Sequence, residues 1–161
     1  MPLPQPNDTG RYPVTDPLNF DPLLVTSFRL ILPKLPSVAM FMQTVSLPGL
    51  NVKRVTQDTR FVDIAQIGEK VNYKPLTVAF LVQNNLNNYR EIEAWVHRMT
   101  VEGSHVDEVD NVVLEINGVD TVRFYNCWPA ILGDLDFEAN PTEAKYHHCT
   151  VTFEYDYWEF I

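Results

Sequence analysis

The last thirteen residues, Cys149–Ile161 (CTVTFEYDYWEFI), constrain the fold of this chain more than any other stretch. Their apolar and polar residues alternate with a period of two, which predicts a β-strand with one buried and one solvated face. The apolar set is Val151, Phe153, Tyr155 and Tyr157, and the polar set is Thr152, Glu154 and Asp156. From Trp158 onward the polar side becomes aromatic. Because an exposed apolar strand edge needs cover, we expect Trp158, Phe160 and Ile161 to lie at an interface between subunits.

Composition favours one globular domain with an acidic surface. The chain has 161 residues, of which 45% are hydrophobic and 20% charged, and its formal net charge is −9. Such a surface repels phosphate backbones, which disfavours specific binding of DNA or RNA but allows a protein that lets nucleic acid pass. The N-terminus lacks the basic start and apolar segment of a signal peptide. No stretch approaches the roughly 20 apolar residues of a membrane span, so no membrane insertion is expected.

A cluster of prolines divides the chain into an arm and a domain. Six prolines fall within residues 1–22. Proline fixes φ and lacks a backbone donor, so this stretch is neither helix nor central strand. We interpret it as an extended N-terminal arm, either a mobile tail or an arm laid along a neighbouring subunit. Residues 23–161 then form a single domain.

The remaining pattern predicts an α+β fold with about seven strands and one helix. Apolar residues at helical spacing mark a helix over residues 89–100, and Asn88 with Glu91 forms a capping-box-like start. Asn117-Gly118 predicts a hairpin, because a type I′ turn needs positive φ at both positions. The predicted strands and turns cover residues 24–32 and 38–48 as a first hairpin, 76–82, the two arms around Asn117-Gly118, a bend at Trp128-Pro129 and a final strand over 146–158. This pattern predicts a mainly antiparallel β-sandwich or small barrel with one packed helix.

Residues 50–74 have no clean period and are predicted to form a long, partly stranded loop. Loops of this length are uncommon in compact domains and are often functional. The segment holds five of the 12 basic residues of the chain, namely Lys53, Arg54, Arg60, Lys70 and Lys74. We expect it to contribute contacts between subunits, with Lys53, Arg54, Arg60 and Lys70 at the interface.

Residues with chemical potential do not form a recognisable catalytic or metal-binding pattern. His147 and Cys149 share a strand face that His148 does not, and two ligands are too few for a structural zinc site. Two cysteines, Cys127 and Cys149, are too few for a disulfide framework, so we expect buried thiols and assembly in a reducing cytoplasm. No glycine-rich phosphate loop or nucleophile motif is present in the sequence. We therefore expect no enzyme, no metal and no cofactor.

Acidic residues in the last third of the chain alternate with apolar ones. Asp134, Asp136 and Glu138 alternate with Leu135 and Phe137, which is typical of the solvated face of an amphipathic strand. Paired carboxylates in a cleft would indicate acid–base catalysis, but nothing in this spacing requires a cleft.

Three stretches resemble tail tube proteins of contractile-tailed bacteriophages. YKPLTVAFLVQNNLNNYREIEAWVHRM, residues 73–99, is similar to the strand-then-helix core of that family. FYNCWPAILGDLDFEANPTEAKYHHCTVTFEYDYW, residues 124–158, resembles its C-terminal block. MQTVSLPGLNV, residues 42–52, resembles the end of an early strand. Together these stretches cover about two thirds of the chain in the family's order, and the helix start resembles the baseplate tube initiators.

The resemblance implies a structural protein of a virion, with assembly in the host cytoplasm. Subunits of that family form six-membered rings whose sheets join edge to edge around a channel, and the rings stack into a tube inside a sheath. The implied partners are copies of the chain, adjacent rings, sheath, tape measure and baseplate proteins, with DNA passing through the channel. Lumen-facing residues would then be acidic, and the candidates are Glu154, Asp156, Asp134 and Asp136. The alternatives are that these residues face the outside, and that the chain is a bacterial type VI secretion-like tube protein or a baseplate adaptor.

Overall fold

The computed structural model describes residues 23, 26–101, 107–118, 120–139 and 142–161. Within these residues the chain forms nine strands and two helices, and the predicted α+β class is confirmed. The strands are β1 (Phe28–Ile31), β2 (Met42–Ser46), β3 (Leu50–Gln57), β4 (Ile64–Tyr73), β5 (Leu76–Leu81), β6 (Asp110–Ile116), β7 (Asp120–Leu132), β8 (His148–Glu154) and β9 (Tyr157–Phe160). The helices are α1 (Pro36–Met40) and α2 (Asn87–Val101). The predicted N-terminal arm, residues 1–22, lies outside the described residues.

Two antiparallel sheets share strand β7 and enclose the core. One sheet has the order β1-β6-β7-β9, and the other has the order β7-β8-β5-β2. The edge strands β1 and β2 do not pair with each other, so the sheets do not close into a barrel. Hairpin β3–β4 forms a separate two-stranded sheet.

Strand β7 passes from one sheet to the other at Asn126. This residue has a φ of 54°, in the left-handed region that asparagine tolerates better than most residues. Its side-chain amide donates a hydrogen bond to Asp156, which lies between β8 and β9, at 2.5 Å. This hydrogen bond therefore joins the bend in β7 to the connection between β8 and β9. The predicted bend at Trp128-Pro129 lies inside β7, with a register shift between Pro129 and Ile131.

The core follows the predicted alternation in the second sheet. Leu76, Val78 and Phe80 of β5 are fully buried, and they lie opposite Phe153, Val151 and Cys149 of β8. Trp95 of α2 covers this layer, with its ring centroid 6.2 Å from that of Phe153. The Trp95 indole Nε1–H donates to the carbonyl of Glu108 at 2.7 Å, so the ring is buried without losing its hydrogen bond.

The turn between β6 and β7 confirms the prediction from Asn117-Gly118. Both residues have positive φ, 53° and 66°, and they connect antiparallel strands. The predicted capping role of Asn88 is wrong. Asn88 lies inside α2 and is fully buried, where its side chain accepts from Gln83 N–H and donates to the carbonyl of Leu81. It joins the end of β5 to the helix, and Glu91 bonds to Ser37 instead.

The hairpin predicted for residues 24–48 is wrong. β1 pairs with β6 and β2 pairs with β5, while helix α1 connects β1 to β2. Proline at the first position of a helix costs no hydrogen bond, and Pro36 opens α1 in this way. Val38, which we assigned to a strand, is fully buried from this helix instead. Packing against the core therefore overrides the β-propensity of the local sequence.

Residues 50–74, predicted to form a partly stranded loop, form a hairpin with a bulge. β3 pairs with β4 at both ends, and one β3 residue, Lys53, lies opposite three β4 residues, Gly68, Glu69 and Lys70. The backbone approaches closely there, because a Cβ at Gly68 would lie 2.0 Å from the Lys53 carbonyl oxygen. Only glycine fits this position, so the sequence specifies the bulge as well as the strands.

Candidate assembly surfaces

Hairpin β3–β4 presents an apolar face that the rest of the described chain does not cover. Every residue of β3 is exposed. Leu50 and Val52 lie opposite Tyr73 and Val71, and cross-strand partners share a face of the sheet. Tyr73 packs against the core, whereas Leu50, Val52 and Val71 are about half exposed. Further along, Ile67 is 90% exposed. A monomer seldom leaves this much contiguous apolar surface in water, so the face is a candidate for burial by another molecule.

The tip of the hairpin carries an aromatic residue beside a cation. Phe61 is 88% exposed, and Val62 next to it is also exposed. The guanidinium carbon of Arg60 lies 5.8 Å from the centroid of the Phe61 ring. The turn is closed by hydrogen bonds between the Thr59 hydroxyl and the backbone of Val62.

The predicted basic interface residues all lie on this hairpin and are exposed. The ion pairs of the described residues join Lys34 and Arg98 to Glu108, and His97 to Glu93. The hairpin cations take part in none of these pairs: they are Lys53, Arg54, Arg60, Lys70 and Lys74. Their charges are therefore available to a second molecule.

The chain changes face at Asp156, which corrects the prediction of one continuous final strand. Tyr155 is buried, but Tyr157 is exposed on the opposite side of the sheet. Trp158, which we predicted to lie at an interface between subunits, lies opposite the buried Phe124 and packs against the core. The break of two residues between β8 and β9 explains the change of face, since a period of two persists only along an uninterrupted strand.

The end of β9 combines an edge that is unpaired among the described residues with one buried donor that has no hydrogen-bond partner. β9 pairs with β7 and with no other strand of the described residues. Phe160 and Ile161 are about half exposed, although Phe160 lies opposite the fully buried Val122. The indole Nε1–H of Trp158 is buried and has no hydrogen-bond partner. A buried donor without a partner is costly. Of the three predicted interface residues, Trp158 packs against the core, whereas Phe160 and Ile161 are about half exposed.

The outer face of this edge carries a rigid aromatic pair. The rings of Tyr125 and Tyr157 stack with centroids 4.6 Å apart. The Tyr125 hydroxyl donates to the Glu159 carboxylate at 2.6 Å, and this hydrogen bond raises the pKa of Tyr125. The pair is a preformed feature of the β9 edge that the sequence pattern did not reveal.

The acidic residues proposed for a lumen lie in two separate places. Glu154 is half-buried at the end of β8 opposite Trp128, and Asp156 follows it. Asp134 and Asp136 lie near the start of β8, since Gly133 N–H bonds to the carbonyl of Thr150. Residues 134–138 form no strand, so the prediction of an amphipathic strand there is wrong. Phe137 is 74% exposed instead of buried.

An open apolar groove lies where β5 ends and β8 begins. Its volume is about 990 Å³. The walls include Phe41, Leu81, Phe137 and Tyr146, and Tyr146 is 84% exposed. Gln83 also lines the groove, and its side-chain oxygen is buried without a hydrogen-bond partner. We did not predict this groove, because we had assigned Phe137 and Tyr146 to strands.

Both cysteines are buried free thiols, as expected. Burial raises the pKa of the Cys127 thiol to about 12 and also raises the pKa of Cys149. Among the described residues, no group of three or more histidine, cysteine or acidic side chains is placed to hold a metal ion. Neither helix in the described part of the chain is long and apolar enough to cross a membrane.

The fold is similar to that of chains in tube, terminator and baseplate structures of contractile injection systems, which agrees with the predicted tail-tube-like fold. A chain from the sheath/tube terminator of an extracellular contractile injection system, PVC, in the extended state matches with a TM-score of 0.64 and 14% identity, covering 88% of this chain and 97% of that one. A chain of the tube-terminating cap of the anti-feeding prophage has a TM-score of 0.64 and 13% identity over 96% and 98% of the two chains. A chain of the six-fold symmetrised anti-feeding prophage baseplate has a TM-score of 0.59 and 14% identity over 83% and 90%. No protein-family profile and no curated protein matches the sequence.

Proposed function

We propose that this chain is a structural subunit of the tube of a contractile, phage-tail-like particle, and that it forms or initiates a ring of six. The observation that carries the proposal is the match of nearly the whole chain, end to end, to chains of tube terminator and cap structures. The uncovered hairpin face and the free β9 edge support it, since a subunit built for assembly must leave such surfaces open. The role is structural, and no catalysis is required of it.

Ring closure uses the free edges of the sheets. The β9 edge carries Trp158, Phe160 and Ile161, and a neighbouring subunit covers the apolar surface of this edge, where Phe160 and Ile161 are about half exposed. A six-membered ring is supported by the fold neighbour from a six-fold symmetrised baseplate. Each ring repeats one heterologous contact, in which two different surfaces of the same chain meet.

Ring stacking uses the hairpin, whose cations meet an acidic surface of the next ring. The channel passes DNA without binding it, because Glu154, Asp156, Asp134 and Asp136 leave an acidic wall that repels phosphate. Sheath, tape measure and baseplate proteins are the further partners of such a tube. The particle is a virion tail assembled in the host cytoplasm.

A terminating or adaptor subunit is the second candidate function. The fold neighbours include a terminator and a cap as well as a chain of a sheath–tube complex, the last with a TM-score of 0.63. A tube subunit elongates into long tubes, whereas a terminator or adaptor stops at a single ring. A secretion-system tube protein would elongate as well, but its channel would carry protein instead of DNA.

Electron microscopy of the purified chain over time and salt concentration tests the proposal. We expect six-fold rings or tubes. A second sample, with residues 54–66 deleted, should yield only monomers or single rings, because the stacking hairpin is lost. Long tubes from the deletion variant would refute the stacking role. A wild-type chain that stays monomeric at high concentration would refute the tube-forming function and leave the initiator or adaptor.

A further inference from the structure

The groove at the ends of β5 and β8 is lined by aromatic rings that the described chain leaves open. Its walls include Phe41, Phe137 and Tyr146, and the last two are 74% and 84% exposed. The His147 imidazole packs beside Phe137, with ring centroids 4.9 Å apart. Aromatic grooves of this kind bind proline-rich segments, because the polyproline II conformation is preformed and costs little entropy on binding.

The groove also holds hydrogen-bond donors. Asn84, Asn85 and Tyr146 line it, and all three side chains are exposed. The Asn85 side-chain oxygen accepts from the backbone N–H of Asn87 at 3.0 Å, which leaves its amide N–H groups as donors. A polyproline II backbone makes no internal hydrogen bonds, so its carbonyl groups need donors from outside. The groove therefore offers both kinds of contact that such a backbone uses.

The charge of the groove favours an acidic occupant. Of the residues that line it, Lys145 is the one with a formal charge when histidine is neutral. Its side chain is exposed and belongs to none of the ion pairs among the described residues. Opposite charges at a contact steer the encounter and fix the register of the partners. A segment with an excess of carboxylates therefore fits this site better than a basic one.

The N-terminal arm has the composition that the groove favours. Residues 1–22 contain six prolines, three of them alternating in PLPQP, residues 2–6. The same segment contains three aspartates and one arginine, so its side chains carry an excess of two negative charges. One of the aspartates, Asp8, follows Pro6 by two residues. The arm therefore matches the groove in both proline content and charge.

The point at which the arm joins the domain places the groove within its reach. Thr26, just before β1, lines a second cavity together with Met42, and Met42 directly follows Phe41 of the groove wall. A polyproline II segment advances 3.1 Å per residue, so residues 8–26 can span about 55 Å. A domain of this size has a radius of gyration of only about 14 Å. The arm therefore reaches the groove of its own subunit, and the tether raises its local concentration there.

We propose that the N-terminal arm docks in the groove of its own subunit, with the prolines of residues 2–6 against Phe137 and Tyr146 and with Asp8 beside Lys145. The arm supplies the apolar cover that these rings lack in the described part of the chain. Both partners belong to one chain, so the contact is complete in a monomer. The inference goes beyond the proposed tube function and does not depend on it.

Limited trypsin digestion of the full-length chain tests whether the arm is docked. Arg11 is the one basic residue of the arm, so trypsin cuts residues 1–22 at a single bond. Docking of the flanking residues protects this bond, and the cleavage rate follows the population of the undocked arm. F137S/Y146S should release residues 1–11 at least about tenfold faster than wild type, as expected when aromatic anchors are truncated. Mass spectrometry of the released fragment measures the rate.

Two controls make the digestion specific to the arm. V101S alters an exposed residue at the far end of α2 and should release the fragment at the wild-type rate. Cleavage after Arg60, an exposed residue of the hairpin, should have the same rate in every variant, because the fold is unchanged. Equal release of residues 1–11 from wild type and from F137S/Y146S would overturn the proposal.

Crosslinking identifies which groove the arm occupies. The full-length variant L3C/Y146C is treated at low protein concentration with a short thiol-reactive crosslinker. The native thiols are 0% and 2% exposed and stay silent. We expect a crosslink within one chain, between positions 3 and 146, and a much lower yield from the control L3C/V101C. Equal yields from the two variants, or crosslinks that join two chains, would overturn docking within the subunit.

Charge exchange tests the pairing of Asp8 with Lys145. In the L3C/Y146C background, K145E should lower the crosslinking rate by about two- to fivefold, as expected for the loss of an exposed ion pair. D8K combined with K145E should restore the rate, because the pair is re-formed with its charges exchanged. A rate that K145E leaves unchanged, or that the combined variant does not restore, would overturn the proposed register of the arm.

These outcomes are distinguishable from a failure of the proposed function. Arm protection and the crosslink within one chain are measured on the monomer, so both are expected even from a chain that forms no rings or tubes. Rings and tubes from a chain whose arm is cleaved equally fast with and without the groove aromatics would support the function and overturn the docking.

Discussion

Strand β5 directly follows hairpin β3–β4 in the chain, but β5 contributes to the buried core and the hairpin is exposed. In β5, Leu76, Val78 and Phe80 are fully buried and alternate cleanly with exposed or half-buried residues. In β3, every residue is exposed, including the apolar residues Leu50, Val52 and Val55. The difference lies in what covers each face. Clean alternation marks burial in the chain's own core, and the weaker pattern of the hairpin accompanies a surface that the rest of the described chain leaves exposed.

The stability of hairpin β3–β4 is expected to depend on assembly more than the stability of the two packed sheets does. An isolated two-stranded sheet is marginally stable at best in water, and β3 and β4 pair with each other alone. The base is fixed to the body by Lys74 N–H to the carbonyl of Gly49 and by the Tyr155 hydroxyl to the carbonyl of Lys74. Beyond that base, we expect the hairpin to become more ordered when it contacts another subunit.

The largest predicted effect compares two phenylalanines in these regions. Phe80→Ala removes a fully buried ring and should lower the free energy of unfolding by about 3–5 kcal/mol. Phe61→Ala removes a ring that is 88% exposed and should change it by no more than about 0.5 kcal/mol. Urea denaturation of the monomer measures both. Similar losses from the two variants would show that the hairpin is part of the cooperative core.

The next prediction concerns the corner that joins the two sheets. Asn126→Ala should cost about 1–2 kcal/mol, because alanine is strained at φ 54° and loses the bond to Asp156. Asn126→Gly, which relieves the strain but also loses the bond, should cost less. Thermal unfolding of the pair separates backbone strain from the hydrogen bond. Equal loss from both variants would place the whole effect in the side chain.

Substitution of the bulge residue Gly68 should disturb hairpin β3–β4 without disturbing the two packed sheets. Gly68→Ala places a Cβ against the Lys53 carbonyl, so the β3–β4 register must shift. We expect faster amide hydrogen exchange across both strands, loss of self-association, and a free energy of unfolding within about 1 kcal/mol of wild type. The matched control is Gly49→Ala, where an added Cβ meets nothing within 4 Å. Unchanged exchange in Gly68→Ala would contradict the predicted register shift.

The smallest predicted effect is a pH dependence of folding stability that arises in the two packed sheets and not in the hairpin. Burial raises the pKa of Cys127 to about 12 from an ordinary value of 9.0, so the folded state binds more protons than the unfolded state between these values. Stability from this group is therefore complete below about pH 9 and is lost as pH rises toward 12. Between pH 8 and pH 10.5, wild type should lose more stability than Cys127→Val. Parallel losses would show that other groups, such as the buried Tyr155, dominate.

The same contrast explains which parts of the fold could be predicted from the sequence. Residues 76–82, α2 and the Asn117-Gly118 turn follow local rules that agree with their packing, and all three predictions are confirmed. The first hairpin prediction is wrong because Val38 gains more from the core as part of a helix than from pairing in a strand. The final strand was predicted as one continuous segment, but it breaks at Asp156, which accepts a hydrogen bond from Asn126, a partner 30 residues away. Periodicity cannot detect such a partner.

The candidate surfaces were predicted only where composition marks them. The cations of residues 50–74 and the aromatic end at Trp158 stand out in the sequence. The groove does not, because Phe41, Leu81 and Tyr146 come together only through the ends of three separate segments. A surface assembled from distant segments cannot be recognised as a pattern within one stretch of the sequence.

The position of β8 between β5 and β7 has a consequence for the order of events during synthesis. Residues 50–73 of the hairpin leave the ribosome well before residues 148–154 supply the strand that joins β5 to β7. Until β8 is synthesised, β5 and β7 lack the strand that joins them in one sheet. The groove is completed in the same late step, because Tyr146 and His147 in its wall directly precede β8. The exposed hairpin is therefore synthesised before the residues that complete the sheet and the groove.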